Sequence, residues 1–362
     1  MLLATNVHSV VGWLAFMDNS ADIAWPTVSV VMPIRNEVDF IEQNLREILN
    51  QDYPNLVEVL VADGMSDDGT RDVLSEFTDP RVKVIDNPAR IVPTGLNEAI
   101  KQSTGEIVVR VDGHAVVAND FVKQSVKALL NNKEAWASGG SLVQKAKTVM
   151  GQAIAAAMSH RIGVGNALRT EPNFEGFGEG TNFPAMHRWV FDKVGYYDEA
   201  LVRNQDDEFY FRLHQGGGKF FITPAIKYDY YVREKLSQLF RQYYQYSFWR
   251  IPVIRKHKQP TTIRQIIPSL FYLAMFVMLV VGTVMGKLWL AFGLPLIYLG
   301  ALMLAGVAKV PTLGPAVALR MPLAIATLHA GYAWGMIHGF LCLVFGIDGW
   351  QRTNQRAVQL SR

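Results

Sequence analysis

The chain has 362 residues, 50% of them hydrophobic and 19% charged, with a formal net charge of +3. Of its 32 Asp and Glu residues only Asp348 lies beyond position 259, and from Gln259 to Ile347 the only fixed charges are Arg264, Lys287, Lys309 and Arg320. A water-facing surface of that extent needs more polar groups, so a purely soluble protein is excluded, and so small a net charge gives no footprint for nucleic acid. Residues 1–24 are mildly apolar and precede the first basic residue, Arg35. Without a positive start they read as an interfacial segment rather than a secretory signal. Within 25–232, Val28–Met32 reads as a buried strand and Phe40–Leu49 repeats apolar residues at helical spacing. Val57–Ala62 (strand), Thr70–Phe77 (helix), Val82–Ile85 (strand), Thr94–Gln102 (helix) and Ile107–Val111 (strand) follow. Such alternation with short connections predicts an α/β fold with a parallel sheet covered on both faces. Within 233–264, the stretch from Lys235 to Arg264 holds seven Lys or Arg residues and no acid, together with Phe240, Tyr243, Tyr244, Tyr246, Phe248 and Trp249, a composition suited to a cytoplasmic headgroup layer. Three uncharged stretches in 265–347, namely Ile266–Gly286, Leu288–Ala308 and Met321–Ile347, are each long enough to span a bilayer. Val310–Leu319 is too short to span, and its presence leaves three or four crossings open. The basic tail 348–362 favours the cytoplasm. Cys342, the single cysteine, can form no intrachain disulfide.

In a parallel sheet ligands bind beyond the carboxyl ends of the strands, and there the sequence concentrates polar chemistry. After the first strand it reads Pro33-Ile-Arg35-Asn-Glu37, after the second Asp63-Gly-Met-Ser-Asp-Asp-Gly-Thr70, and after the fourth Asp112-Gly-His114. Clusters at successive strand ends form one crevice suited to a nucleotide diphosphate: one carboxylate can accept a pyrimidine imide N–H and another can hold a divalent ion on the phosphates. Each residue also has a plainer reading. Glu37 suits a helix N-terminus, Asp63 suits a turn, and Asp67 and Asp68 suit helix caps. Farther on, Gln205-Asp206-Asp207-Glu208 combines carboxylates fit for general-base work with an acidic helix start.

In this order the motifs resemble the family 2 glycosyltransferases of the GT-A fold, from about Val28 to Trp249. The resemblance implies a GT-A (Rossmann-like) domain over 25–232, followed by interfacial and transmembrane helices. It implies that Pro33, Arg35 and Glu37 border the base and ribose, that Asp63 takes the uracil imide, and that Arg90, Asn97 and Asp112 contact the nucleotide. Asp112 and His114 replace the usual Asp-x-Asp and would hold Mn²⁺ or Mg²⁺, an imidazole being admissible for Mn²⁺. His114 otherwise stands behind the ion. Asp206 aligns with the general base of an inverting transfer, with Asp207 and Glu208 as alternative bases or supports. Gly178-Glu-Gly-Thr-Asn182 looks like acceptor-side lining, so Asn182 is expected there. Gln245-Tyr-Ser-Phe-Trp249 keeps the Gln-x-x-x-Trp spacing of membrane synthases, which implies acceptor contacts by Gln245, Trp249 and the following Arg250. A membrane-surface anchor is the rival reading of Trp249.

Residues 202–208 and the helix 242–249 look like the succinoglycan-type exopolysaccharide glycosyltransferases. That implies transfer of a sugar, expected to be glucose, from a UDP-sugar to a polyprenyl-diphosphate-linked saccharide at the cytoplasmic face of the inner membrane, forming a β-linkage. Rival readings are a processive polysaccharide synthase, a polyprenyl-phosphate sugar synthase, and a non-catalytic membrane scaffold.

Overall fold

The computed structural model describes residues 24–165, 170–260 and 263–347; the N-terminal segment and the basic tail read from the sequence fall outside the described residues, apart from Ala24. Strands β1 (Val28–Ile34), β2 (Leu56–Asp63), β3 (Val82–Asp86) and β4 (Ile107–Arg110) alternate with helices α1 (Ile41–Leu49), α2 (Thr70–Ser75) and α3 (Val92–Gln102). Next come β5 (Val116–Val117), α4 (Phe121–Asn131), β6 (Ala135–Gly140), β7 (Val143–Lys145), α5 (Val149–Ser159), α6 (Arg161–Val164), β8 (Gly176–Gly178) and β9 (Ala185–His187). The domain ends with α7 (Trp189–Val194), α8 (Gln205–Gln215), β10 (Lys219–Thr223) and β11 (Tyr228–Tyr231). The C-terminal helices are α9 (Leu236–Phe248), α10 (Arg250–His257), α11 (Ile267–Val284), α12 (Leu288–Ala308), α13 (Val310–Leu313), α14 (Pro315–Ala318) and α15 (Met321–Val344). Helix α3 starts two residues before the expected Thr94, because Pro93 fits a first turn, where no backbone donor is required.

The main sheet runs β3-β2-β1-β4-β9-β6-β10-β8, with β3, β2, β1 and β4 parallel and β9 antiparallel to both its neighbours. Every residue of β1 is buried, as expected for a strand covered on both faces. One face packs on Ile41, Leu45 and Ile48 of α1 and Phe121, Val122 and Val126 of α4. The other packs on Leu96 and Ile100 of α3, Phe191 of α7, and Phe209 and Leu213 of α8. Register pairs Ile34 with Asp63 and Asp63 with Asp86, so the ends of β1, β2 and β3 lie along one edge. A small second sheet runs β5-β11-β7.

Among the described residues two helices, α11 and α12, are long and apolar enough to cross a membrane, and both expose most of their apolar surface. This supports membrane association and amends the expected three spans. The third stretch does form a single 24-residue helix, α15. Its apolar character is diluted by His329, Tyr332 and His338, and much of it is buried by packing on α9. That packing is close because glycine occupies the contact: a methyl group at Gly331 or Gly335 would overlap the carbonyl oxygens of Phe240 or Tyr244. Residues 310–319 form the one-turn helices α13 and α14, broken at Gly314.

Candidate functional site

The loops after β1 and β2 brace one another. Asn36, in a left-handed conformation (φ 56°), receives a hydrogen bond from the Asp67 backbone and donates its own backbone N–H to Ser66. The Glu37 and Val38 backbone amides donate to Thr70 and Asp68. This lattice holds the Glu37 carboxylate 3.0 Å from His114 Nδ1. The hydrogen bond to Glu37 raises the imidazole pKa above its usual 6.5, outweighing burial. The His114 side chain remains 61% exposed. Two residues earlier, Asp112 is held from the same side of the strand end by Arg110, at 2.8 and 3.2 Å.

Helix α8 supplies the second set of carboxylates. It begins after Asn204, whose left-handed backbone (φ 59°) turns the chain into the helix while its side chain donates to Tyr246 O of α9 at 2.8 Å. Asp206 therefore sits in the first turn, within electrostatic range of Arg110, Tyr197, Tyr210, Tyr246 and Arg250. Burial pushes the Tyr197 phenol up to about 12, against the attraction of Arg110. Asp207 is ion-paired with Arg250 at 2.7 Å.

One continuous cavity of about 1760 Å³ joins these groups. Glu37, Asp112 and His114 line one part, Asn182, Asp206, Asp207 and Arg250 another, and Phe271, Tyr298 and Leu328 of the apolar helices a third. A smaller recess of about 560 Å³ over α1 contains none of these residues. Among the described residues no three His, Cys, Asp or Glu side chains gather as a self-sufficient metal site.

Other residues expected at the site lie elsewhere. Asp63 is fully buried; its carboxylate accepts from Ser66, pairs with Arg71 at 2.5 Å, and does not line the cavity. Pro33 is buried in β1 and Arg35 is half-buried beside Gly64, both off the cavity wall. Arg90 is exposed on a turn after β3 and is also off the wall. Asn97 is buried against the loop after α7: its amide donates to Tyr197 O at 2.9 Å and to Glu199 at 2.8 Å and accepts from Tyr197 N, so it fixes that loop. Glu208 is fully buried among Arg212, Lys256 and His257, which removes it as a base.

The α9 register also differs from expectation. Trp249 is 1% exposed and packs on Leu201, Phe248, Val253 and Cys342, so its indole faces neither a sugar nor a bilayer. Gln245 is likewise off the cavity wall, which α9 reaches through Gln242, Tyr243 and Tyr246. Gln242 donates to the Tyr230 and Tyr246 hydroxyls at 3.2 and 3.1 Å. The sequence reading missed Gln242, Tyr246, Arg110, Arg203 and Arg233. Arg110 carried a signal: a guanidinium two residues before Asp112 on an extended chain shares its face.

The Glycosyl transferase family 2 model matches residues 29–163. The chain is 30% identical over 248 residues to the succinoglycan biosynthesis protein ExoA of Rhizobium meliloti, covering 66% of this chain and 73% of that protein. It is 28% identical over 240 residues to a Methanococcus voltae dolichyl N-acetyl-alpha-D-glucosaminyl phosphate 3-beta-D-2,3-diacetamido-2,3-dideoxy-beta-D-glucuronosyltransferase, covering 63% of this chain and 74% of that one. In fold it is similar to a mannosyltransferase from Pyrobaculum calidifontis solved with GDP-Man and Mn²⁺, with a TM-score of 0.57, 21% identity, and coverage of 86% of this chain and 88% of that one.

Proposed function

Since the chain belongs to glycosyl transferase family 2, we propose that it is a membrane-anchored inverting hexosyltransferase of exopolysaccharide or cell-envelope glycan synthesis. It moves a sugar, glucose in this reading, from a UDP-sugar to a saccharide carried on a polyprenyl diphosphate. The catalytic domain faces the cytoplasm at the inner membrane. The observation that carries the reading is the single cavity running from Glu37 and Asp112, past Asp206, to the apolar helices. A donor soluble in water and an acceptor anchored in lipid need such a joint space.

Asp206 is the proposed base. Asp207 is committed to Arg250 and Glu208 to its buried cations. Asp206 takes the proton of the acceptor hydroxyl as that oxygen attacks the anomeric carbon. Attack comes from the face opposite the departing diphosphate, so an α-linked donor gives a β-linked product. Asn182, Gln242 and Arg250 border the acceptor side, while Glu37 and Asp112 border the nucleotide.

The donor set fits a divalent ion that arrives with its diphosphate. Glu37 engages His114 through Nδ1, which leaves Nε2 as a ligand, and Asp112 supplies oxygen. Two protein donors plus phosphate oxygens are a usual Mg²⁺ arrangement, and Mn²⁺ accepts the imidazole. Bound there, such an ion, Mn²⁺ or Mg²⁺, would supply positive charge against the departing diphosphate.

The test is UDP release by the purified full chain with native lipid extract, Mn²⁺ or Mg²⁺, and a panel of UDP-sugars. One donor is expected to give lipid-dependent release, and Asp206→Asn to lower it by about 10²–10⁴-fold. Equal activity in Asp206→Asn would overturn the base assignment and favour a phosphate nucleophile.

A further inference from the structure

Most cations that line the cavity are already matched. Arg110 is paired with Asp112, Arg250 with Asp207, Arg264 with Glu179, and Arg161 lies 3.8 Å from Glu171. Lys147 has no ion pair among the described residues and lies over the Tyr231 ring at 5.9 Å; Arg203 and Arg233 are different again. Both line the cavity, and neither takes part in an ion pair among the described residues. Arg203 Nε is buried with no hydrogen-bond partner. Each guanidinium lies within electrostatic range of the other, so the two repel; Arg233 also acts on His114. Arg203 immediately precedes the Asn204 turn that starts α8, and Arg233 follows β11 at the approach to α9. Arg233 acts on His114, and Arg203 acts on Tyr246, which Asp206 also faces, so the pair has neighbours at both ends of the cavity.

Two guanidiniums held together without a carboxylate, one with a buried unsatisfied donor, are costly unless an anion completes them. Forked donors match phosphate oxygens, which a single ammonium cannot do in the same geometry. We propose that Arg203 and Arg233 form a diphosphate seat between the donor and acceptor halves of the cavity. The inference rests on the transferase reading, which brings two diphosphates into this space: that of the nucleotide donor and that of the lipid acceptor. Either has the chemistry the pair recognises.

The experiment measures equilibrium binding of two probes, UDP and farnesyl diphosphate, to the detergent-solubilised full chain. The proteins compared are wild type, Arg203→Gln and Arg233→Gln, with Arg46→Gln on the surface of α1 as a control. Loss of one charge-assisted contact should weaken the bound probe by about tenfold or more. Weakening of UDP alone assigns the seat to the nucleotide, weakening of farnesyl diphosphate alone assigns it to the lipid, and weakening of both makes it shared. If neither probe weakens beyond the Arg46→Gln control, or wild type binds neither, the proposal is overturned. Arg203→Lys and Arg233→Lys keep the charge and should recover part of the affinity, which separates a lost anion contact from a misfolded chain. Binding through the pair with no transfer from any UDP-sugar would sink the transferase reading while leaving the seat in place.

Discussion

Glu208→Gln separates architecture from chemistry in the acidic run of α8. The Glu208 side chain is fully buried and accepts from Arg212 Nε and Nη2 at 2.9 Å each, from Lys256 at 2.8 Å and from His257 at 2.9 Å. An amide fills the same volume but removes the charge, leaving three cationic or polar partners facing it. Breaking a buried ion pair from one side costs about 3–5 kcal/mol. The lower end applies here, because Arg212 keeps the carbonyls of Val194 and Tyr196, and Lys256 keeps Asp198 at 2.6 Å with its side chain 42% exposed. A loss of about 3 kcal/mol lowers the melting temperature of a domain this size by about 6–12 °C.

The assay is thermal unfolding followed by tryptophan fluorescence in detergent, paired with turnover measured below the melting onset. Glu208→Gln should melt early yet turn over within about threefold of wild type, a loss of less than 1 kcal/mol in the barrier. Asp206→Asn should do the reverse. Acid adds a second arm. Burial alone would raise the Glu208 carboxyl, but the hydrogen bonds from Arg212 and Lys256 hold it below the usual value of 4.5. A group depressed on folding contributes its stability above the unfolded pKa and loses it as pH falls through the folded one. The gap between wild type and variant should therefore be full at neutral pH and narrow below about pH 4. Unchanged melting with turnover reduced a hundredfold would refute this account and return Glu208 to the chemistry.

Other expectations follow from the same geometry. Asn97→Ala strips three hydrogen bonds from the Tyr197 loop and should cost about 2–3 kcal/mol, with the donor KM unchanged; a large rise in that KM would restore Asn97 to the nucleotide site. Trp249→Ala empties the packing against Val253 and Cys342 and should destabilise by about 3–5 kcal/mol, whereas Trp249→Phe should cost less and leave the acceptor KM where it was. Glu58, 1% exposed, is pulled down to about 2 because hydrogen bonds from Lys83, Ser29 and Thr104 overcome the opposing effect of burial. Its stabilisation is complete above about pH 4.5 and fades as pH falls toward 2, so melting curves of Glu58→Gln and wild type should converge on acidification; a constant offset down to that pH would count against it.

The parallel half of the sheet was legible because each of its strands is a short β-branched run, and the period changes cleanly from strand to helix. The strand-end position of Glu37, Asp112 and His114 follows from that alternation. What could not be read was the destination of side chains whose partners are remote. Asn97 meets Tyr197, 100 residues away in the chain. Spacing also fails to give helix rotation: a Gln and a Trp four apart do share a face, but α9 turns that face toward packed residues and offers Gln242 and Tyr246 to the cavity. Composition likewise marked 321–347 as apolar without showing that glycines bring α15 against α9.

That last contact would join the proposed catalysis to membrane attachment. Helix α9 lies on α15 through Phe240 and Tyr244, at Gly331 and Gly335. Toward the cavity it presents Gln242 and Tyr246. Its Tyr246 carbonyl takes the Asn204 side chain that starts α8, and Arg250, just past its end, holds Asp207. The carboxylates of α8 are thus fixed from two directions, by the sheet through Phe209 and Leu213 and by the C-terminal helices through α9. A base held by the sheet alone would be positioned for the nucleotide but indifferent to the depth of a lipid-borne acceptor. Held by both, Asp206 keeps one distance from the strand ends and one from the apolar helices, the condition for the proposed transfer, in which two substrates arrive from different phases.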